Sequence, residues 1–371
     1  MAISRRNFLF ASALGSASAL SASSAAASVN RLGAKLPAGP KPGQDKTMLI
    51  LGGTRFLGPH LVNAAIAAGW TVTLFNRGRS NPNLFADLEK LKGDRSDDLT
   101  ALEGRKWDVV IDTSGYVPRH VKMTAELLAE NVEQYVFIST VSVYDDPGGV
   151  LLNEESPVGT LEDETIEQVT GESYGPLKAL CEQAAEAAMP GRVTNIRPGL
   201  IVGPLDNSGR FTYWPWRIAK GGEVLAPGNP DAEIEYIDAR DLADFSLHCI
   251  HEKIHGVFNA NGPGPRVSMQ ELLHGCKIVL GSDASFTWIP DEKLEEYGVG
   301  AWMEMPLWIP EAYPHSNTDC AKAVAAGLVY RPSGETIRDT FDWEDHPKAL
   351  GSSLKAEKEA EVLEKWHKRE R

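Results

Sequence analysis

From Thr47 onward, short runs of apolar and β-branched residues alternate along the chain with longer segments whose apolar residues recur at helical spacing. The short runs predict strands at 48–51, 71–75, 108–111, 135–138 and 193–196, and the longer segments predict helices at 59–68, 119–130 and 174–188. Strands that alternate with helices are typical of a parallel sheet covered by helices on both faces. The pattern therefore predicts an α/β protein with a doubly wound parallel sheet.

The regular alternation fades after Pro198 into a region rich in glycine and tryptophan, where we expect a smaller C-terminal lobe that binds the substrate. We accordingly divide the folded part into a sheet domain over 47–200, to which some later segments return, a lobe over 201–345 and a charged C-terminal helix over 346–371. In that helix the residues expected to face inward are apolar: Leu354, Val362, Leu363 and Trp366.

The N-terminus has the features of an export signal. Arg5 and Arg6 precede an Ala/Ser-rich apolar run from Phe8 to Leu20, and the small residues 25–27 form a cleavage site. The apolar run is shorter than the roughly 20 residues that span a bilayer, which favours a cleaved signal over an anchor. We therefore expect a twin-arginine signal peptide over 1–27, a flexible leader over 28–46, transfer by the twin-arginine translocase to the periplasm or another exported location, and no stable membrane insertion after cleavage.

Charge and cysteine content exclude several classes of site. The formal net charge is −14, and removal of 1–27, which contains two arginines and no acidic residue, makes it −16. Such a surface repels nucleic-acid phosphates and anionic lipid, so we predict no nucleic-acid partner. The four cysteines are widely spaced and form no Cys-x-x-Cys pair, so neither a disulfide framework nor a metal site is predicted.

A glycine-rich turn joins the first strand to the first helix. It consists of Gly52, Gly53, Thr54, Arg55, Phe56, Leu57 and Gly58. Gly52 permits a sharp turn, Gly58 permits close packing of helix on strand, and the helix N-terminus offers free N–H groups to a pyrophosphate. With a strand before it and a helix after it, the turn predicts a dinucleotide site in a Rossmann-like fold, the alternative being a structural turn. Arg55 stands where a third glycine is usual, so its side chain would lie over the phosphates.

The end of the second strand bears on the choice of cofactor. Asn76, Arg77 and Arg79 stand where an acidic residue would grip the ribose 2′-hydroxyl of NAD. Arg77 or Arg79 is suited to a 2′-phosphate, which favours NADP over NAD, unless these arginines belong to a solvated loop.

Two further segments are expected to line the cofactor. Asp94, with Arg95 beside it, follows a short apolar stretch and would accept a hydrogen bond from the adenine amino group. Thr113, Ser114 and Gly115 follow the strand predicted at 108–111, where small residues let a loop run beside the cofactor, although a plain strand-end turn is an alternative.

The candidate chemistry lies further along the chain. The strand predicted at 135–138 ends in a hydroxyl cluster that includes Thr140, and Tyr174 and Lys178 are spaced to share one helical face, provided that the helix begins near Pro176. A phenol of pKa about 10 is a poor base at neutral pH, and a nearby ammonium stabilises its phenolate. Tyr174 would then accept and donate a proton, Lys178 would also hold the nicotinamide ribose, and Thr140 would orient the substrate oxygen. An isolated Tyr-x-x-x-Lys is more often an exposed helical pair.

Taken in order, these motifs closely resemble the extended or atypical short-chain dehydrogenase/reductase superfamily, the group of nucleoside-sugar epimerases and dehydratases, over Leu49 to about Trp343. The resemblance also covers Arg197-Pro198 to Gly203-Pro204, which in the family lies beside the nicotinamide, and the strand-to-helix signature 236–243. It implies an NAD(P)-dependent enzyme with Thr140, Tyr174 and Lys178 as catalytic residues and Pro198 beside the cofactor.

The substrate would be carbohydrate-like, because aromatic residues suited to stacking on a sugar ring cluster between these two segments. The candidates are Ser142, Arg210, Tyr213, Trp214 and Tyr236. For each aromatic ring, packing in the core of the lobe is an equal alternative.

Three functions are consistent with the sequence. The first is oxidation or reduction of a hydroxyl or ketone on a sugar, sugar nucleotide or polyol, with a tightly bound cofactor and a redox-neutral, epimerase-type cycle because little free nicotinamide is available after export. The second is non-catalytic dinucleotide or RNA binding, since the Gly-Gly-Thr-Arg-Phe turn also resembles an atypical subgroup that includes chloroplast stem-loop RNA-binding proteins. The third is reduction of an aromatic substrate by an isoflavone-reductase-like, NADPH-dependent enzyme. Homodimerisation stays open.

Overall fold

The computed structural model describes residues 46–313, 315–343 and 350–369. The expected signal peptide and nearly all of the leader that follows it lie outside the described residues. In chain order the strands are β1 (Thr47–Leu51), β2 (Thr71–Asn76), β3 (Glu89–Lys92), β4 (Val109–Asp112), β5 (Gln134–Ile138), β6 (Leu151–Leu152), β7 (Val193–Pro198), β8 (Ile201–Val202), β9 (Glu223–Pro227), β10 (Glu233–Ile234), β11 (Ile237–Asp238), β12 (Gly256–Ala260), β13 (Val267–Ser268), β14 (Ser285–Ile289) and β15 (Asn317–Thr318).

The helices, again in chain order, are α1 (Leu57–Ala67), α2 (Pro118–Leu128), α3 (Tyr174–Ala188), α4 (Tyr213–Ala219), α5 (Ala239–His251), α6 (Met269–Leu280), α7 (Asp291–Glu296), α8 (Ala321–Ala325), α9 (Ser333–Asp342) and α10 (Ala356–Arg369). The five predicted strands and three predicted helices are confirmed to within two residues at each end.

Seven parallel strands form the central sheet in the order β12-β7-β5-β4-β1-β2-β3. Successive side chains of β1 point to opposite faces, so that Met48 and Ile50 join one core with α1 and α5, while Leu49 and Leu51 join another with α2 and α3. Burial on both faces explains why β1 is apolar at every position after Thr47. The doubly wound α/β fold is therefore confirmed, and the strand order reverses between β1 and β4, the place where such sheets bind ligands.

The second lobe has its own apolar core. Buried residues of α4, β9 and α6 pack there with the loop around Trp302 and Trp308. The C-terminal helix α10 contributes Val362, Leu363 and Trp366 to the same core, as its pattern predicted. A buried ion pair of 2.5 Å between Arg217 and Glu359 fixes this helix to the lobe.

Two sheet strands, β3 and β12, were not among the predicted strands. β12 pairs with β7 at the edge of the sheet although it follows the first segments of the lobe, and α5 packs against α1. The chain therefore leaves the sheet domain and returns to it. Within the described ranges no helix is long and apolar enough to cross a membrane.

Candidate active site

The glycine-rich turn holds a backbone conformation that few side chains allow. Gly52 and Gly53 have φ of 107° and 85°. A Cβ on Gly58 would lie 2.6 Å from the carbonyl carbon of Gly53, so glycine is required where α1 meets the turn. The N-cap residue of α1, Phe56, supplies no side-chain hydrogen bond, and the amide of Gly58 donates to the carbonyl of Arg55 at 2.9 Å, so the amide of Leu57 at the start of the helix has no side-chain cap. This cradle fits the pyrophosphate of a dinucleotide.

Two asparagines brace the turn from the end of β2. Asn76 Nδ2 donates to the carbonyl of Gly52 at 3.0 Å, and Asn81, which sequence reasoning missed, donates to the carbonyl of Thr54 at 2.8 Å. Arg55 and Arg79 are exposed, and Arg77 lies 3.9 Å from Asp94 with more than half of its side chain exposed. Arg55 in the turn and Arg77 and Arg79 after β2 therefore all present their side chains to solvent.

Asp94 and Arg95 have different environments although they are adjacent. The Asp94 carboxylate accepts hydrogen bonds from the amide and hydroxyl of Ser96, which lower its pKa. Arg95 is only 9% exposed and forms a 2.6 Å ion pair with Asp112, whose second oxygen accepts a hydrogen bond from Tyr135. A buried charge requires such a partner. Arg95 therefore supports the end of β4 from within the domain instead of facing the groove.

The residues at the end of β4 tie this strand to β1. Thr113 Oγ1 donates to the carbonyl of Leu51 at 2.8 Å, and Ser114 Oγ donates to the same carbonyl at 3.3 Å. A Cβ on Gly115 would lie 2.6 Å from the ring of Phe137. The three predicted residues therefore lie together where the strand order reverses.

The catalytic candidates Thr140 and Tyr174 are brought together by a close contact between α3 and the segment after β5. A Cβ on Gly175 would lie 1.9 Å from the carbonyl oxygen of Ser142, so only glycine lets α3 begin against this segment. Burial raises the pKa of the Tyr174 phenol, and a hydrogen bond with Thr140 and the charge of Arg210 oppose that rise. The phenol is consequently protonated at neutral pH in this structure.

Lys178 lies one turn further along α3 and is 3% exposed. Its Nζ donates to the carbonyls of Gly115 and Ile138, each at 2.7 Å, and lies 4.0 Å from the centroid of the Phe137 ring. Burial lowers the pKa of this amine to about 8. The ammonium thus connects the ends of β4 and β5 directly beneath the candidate site.

Tyr116 is a site residue that sequence reasoning missed. Its ring centroid lies 6.3 Å from that of Tyr174 and 5.4 Å from Lys178 Nζ, and the residue is 43% exposed. The charges of Arg55 and Arg210 both act on its phenol. The signal that was available is an aromatic residue directly after the small residues that end β4.

The substrate candidates separate into two groups. Tyr213, Trp214 and Tyr236 are at most 2% exposed and pack in the core of the lobe, where Trp214 donates to the carbonyl of Pro306 and Tyr236 to the hydroxyl of Ser333. Their rings are therefore buried and not available for stacking on a sugar. Ser142, whose hydroxyl accepts a hydrogen bond from Thr140 at 3.2 Å, and Arg210 are the two candidates beside Tyr174.

The Arg-Pro segment is a buried support at the end of β7. Arg197 binds both carboxylate oxygens of Glu182, at 2.9 and 2.6 Å, and lies over the ring of Tyr144. Pro198 is the last residue of β7 and is buried at the carboxyl edge of the sheet. Among the described residues, no group of three or more His, Cys, Asp or Glu side chains is arranged to hold a metal ion.

Comparison with known proteins adds three similarities. A chloroplast stem-loop binding protein of 41 kDa from Arabidopsis thaliana (form b) is 31% identical over 244 residues, which are 59% of this chain and 59% of the length of that relative. The enzyme WbmG of Bordetella bronchiseptica, solved with NAD, superposes with a TM-score of 0.62 at 18% identity over 85% of this chain and 99% of that chain. UDP-glucose 4-epimerase of Bifidobacterium longum, solved with NAD+ and UDP, gives a TM-score of 0.59 at 20% identity over 82% and 100%.

The two solved structures share the fold described above. The sequence model of the NAD dependent epimerase/dehydratase family matches residues 48–260, which is more than half of the chain and includes the glycine turn, Thr140, Tyr174 and Lys178. The chain therefore belongs to the NAD dependent epimerase/dehydratase family.

Proposed function

We propose that the protein is an NAD(P)-dependent oxidoreductase or epimerase that acts on a hydroxyl or ketone of a sugar, sugar nucleotide or similar polyol. The observation that carries the proposal is the meeting of Thr140 and Tyr174 at the carboxyl edge of the sheet, next to the loop that ends β4 and beside the glycine turn. Membership of the family supports it.

The chain's own residues supply the proton. When bound, the nicotinamide accepts or provides a hydride. The protonated phenol of Tyr174 donates its proton to a substrate oxygen that becomes a hydroxyl, and takes a proton back in the opposite direction. Thr140 orients that oxygen through its hydroxyl, and the charge of Arg210 favours the phenolate form of Tyr174.

The amides of the glycine turn and of the first turn of α1 would hold the pyrophosphate, and Thr113, Ser114 and Gly115 would line its path to Pro198. The exposed Arg77 and Arg79 would pair with a 2′-phosphate, so we propose NADP in preference to NAD. An exported enzyme has little free cofactor to recycle, which favours a retained cofactor and a redox-neutral epimerase cycle in the periplasm or another exported location.

Exchange of Tyr174 tests this function. Mature protein purified after native export should carry nicotinamide that mass spectrometry identifies on release. Tyr174→Phe should retain that nucleotide and lose activity by about 10² to 10⁴-fold, because it keeps the ring and removes only the acid–base group. Activity is followed as epimerised or oxidised product by chromatography, and as the transient absorbance of the bound cofactor at 340 nm, after addition of neutral sugars, acidic sugars and UDP-sugars. A cofactor-free wild type, or a fully active Tyr174→Phe, refutes the proposal.

RNA binding is the second candidate, because the plant relative is named as a stem-loop binding protein. The net charge of −14 and the presence of Thr140, Tyr174 and Lys178 favour the enzyme. A gel-shift titration with a stem-loop RNA in 150 mM salt separates the two functions: the enzyme gives no shift, whereas an RNA-binding protein gives one that Tyr174→Phe does not alter.

A further inference from the structure

The loop after β8 presents Arg210 from a tightly turned backbone. Leu205 and Gly209 both have positive φ, at 71° and 73°, and the amide of Asp206 donates to the carbonyl of Gly203 at 3.2 Å. Asp206 Oδ1 then accepts a hydrogen bond from the amide of Ser208 at 2.9 Å. These contacts fix the position of Arg210 immediately before α4.

The guanidinium of Arg210 lacks the partners that other half-buried or buried arginines of the described chain have: Arg192, for example, donates its Nη1 to the carbonyls of Ala129 and Val132 at 3.0 and 2.9 Å. The Nε of Arg210 donates to Ser208 Oγ at 3.0 Å, but no carboxylate of the described residues lies within ion-pair distance of this guanidinium. Five other arginines with side chains at most 13% exposed each contact a carboxylate within 2.7 Å: Arg95, Arg197, Arg217, Arg240 and Arg331. Arg210 is therefore a half-buried cation whose terminal nitrogens lack an anion.

The neighbouring acid, Asp206, attracts Arg210 but forms no ion pair with it. Asp206 is 1% exposed, its Oδ2 has no hydrogen-bond partner among the described residues, and burial raises its pKa. Burial raises the pKa of the Tyr116 phenol, and the charges of Arg55, in the glycine turn, and of Arg210, in the loop after β8, both lower it. Two arginines that act on the same phenol, in a protein of net charge −14, favour an anionic ligand at this place.

We propose that Arg210 binds a carboxylate or phosphate group of the substrate on the lobe side of Tyr174, while the half-exposed ring of Tyr116 packs against the carbon skeleton next to it. The inference rests on the proposed function and narrows it to acidic sugars or sugar phosphates. A guanidinium is suited to both anions because its planar donors match two oxygens at once. The pyrophosphate of the cofactor would bind elsewhere, at the glycine turn and the N-terminus of α1.

Calorimetric titration of the full mature protein, with the cofactor it carries, tests the inference without turnover. The probes are D-glucuronate and D-glucose 1-phosphate as anions and D-glucose as the neutral match. We expect at least one anion to bind about 10- to 100-fold more tightly than glucose, the range for charge-assisted hydrogen bonds, and the stronger of the two identifies the group. Arg210→Gln should abolish this preference, and Arg210→Lys should keep part of it.

Two controls make the outcome decisive. Arg105→Gln removes an exposed arginine that pairs with Glu89, far from the site, and should leave the preference unchanged. Tyr174→Phe should bind the anion as the wild type does, so a failure of the proposed chemistry would be visible separately in activity. Equal affinity for glucose and both anions, or an anion preference that survives in Arg210→Gln, overturns the inference.

Discussion

Replacement of Gly175 by alanine tests the contact that places Tyr174 beside Thr140. The added Cβ would lie 1.9 Å from the carbonyl oxygen of Ser142, whereas such atoms essentially never approach within 3.0 Å, so the start of α3 must move by about 1 Å. The obstructing atom belongs to the backbone and has no rotamer by which to escape.

The expected effect is larger on activity than on stability. Overpacking of this kind costs about 1–3 kcal/mol, from which the higher helix propensity of alanine recovers about 1 kcal/mol. A shift of about 1 Å in a catalytic group is expected to cost on the order of 100-fold in rate. Urea denaturation gives the free energy of unfolding, and reduction of the bound cofactor by the best substrate of the Tyr174 experiment gives the rate.

Gly275→Ala is the matched control. Gly275 also lies in a helix, α6, but its Cβ would meet only Ile337 Cδ1 at an ordinary 3.5 Å. This variant should be as active as the wild type and equally stable or up to about 1 kcal/mol more stable. If Gly175→Ala behaves like Gly275→Ala in both measurements, then the close approach of α3 to Ser142 does not position the phenol, and the reasoning fails.

Two further predictions concern charge. Burial lowers the pKa of Lys178 to about 8, so between pH 8 and 9.5 the unfolded chain holds a proton that the folded protein has released. Over that interval, the free energy of unfolding of the wild type relative to Lys178→Met should rise by up to about 2 kcal/mol. If chemical denaturation shows that this difference does not change with pH, the amine is not buried. The double variant Arg77→Ala/Arg79→Ala should weaken NADPH binding about tenfold or more and change NADH binding less than twofold. Binding is measured by fluorescence titration of protein from which the cofactor has been removed, with Arg105→Ala as the control. Equal losses for both nucleotides would show that these arginines do not bind a 2′-phosphate.

The sheet could be predicted from the sequence because its strands are short, apolar and separated by periodic helices. The exceptions are the edge strands β3 and β12. β3 reads Glu-Lys-Leu-Lys and has a single apolar residue. β12 reads Gly-Val-Phe-Asn-Ala and follows part of the lobe, so nothing in its local pattern indicates pairing with β7. Such pairing depends on contacts about 60 residues apart in sequence, which hydrophobic periodicity does not contain.

The location of a site residue could be predicted where its backbone position fixes it. It could not be predicted where a distant partner determines which way the side chain points. Gly58, Thr140 and Tyr174 occupy positions dictated by a turn or a helix start, and they lie where their motifs indicated. Arg95 instead points inward because it forms an ion pair with Asp112, which lies 17 residues later in the chain. Trp214 illustrates the same limit, since stacking on a sugar and packing in a core demand the same large apolar ring.

The two carbonyl bonds of Lys178 set the distance between the loops that follow β4 and β5, because one ammonium holds both strand ends. The distance between these two loops therefore depends on Lys178, a side chain of α3, and not on the composition of either loop. Loop residues such as Tyr116 can accordingly be exchanged to change ligand preference. The two loops should keep their separation as long as Lys178 is retained.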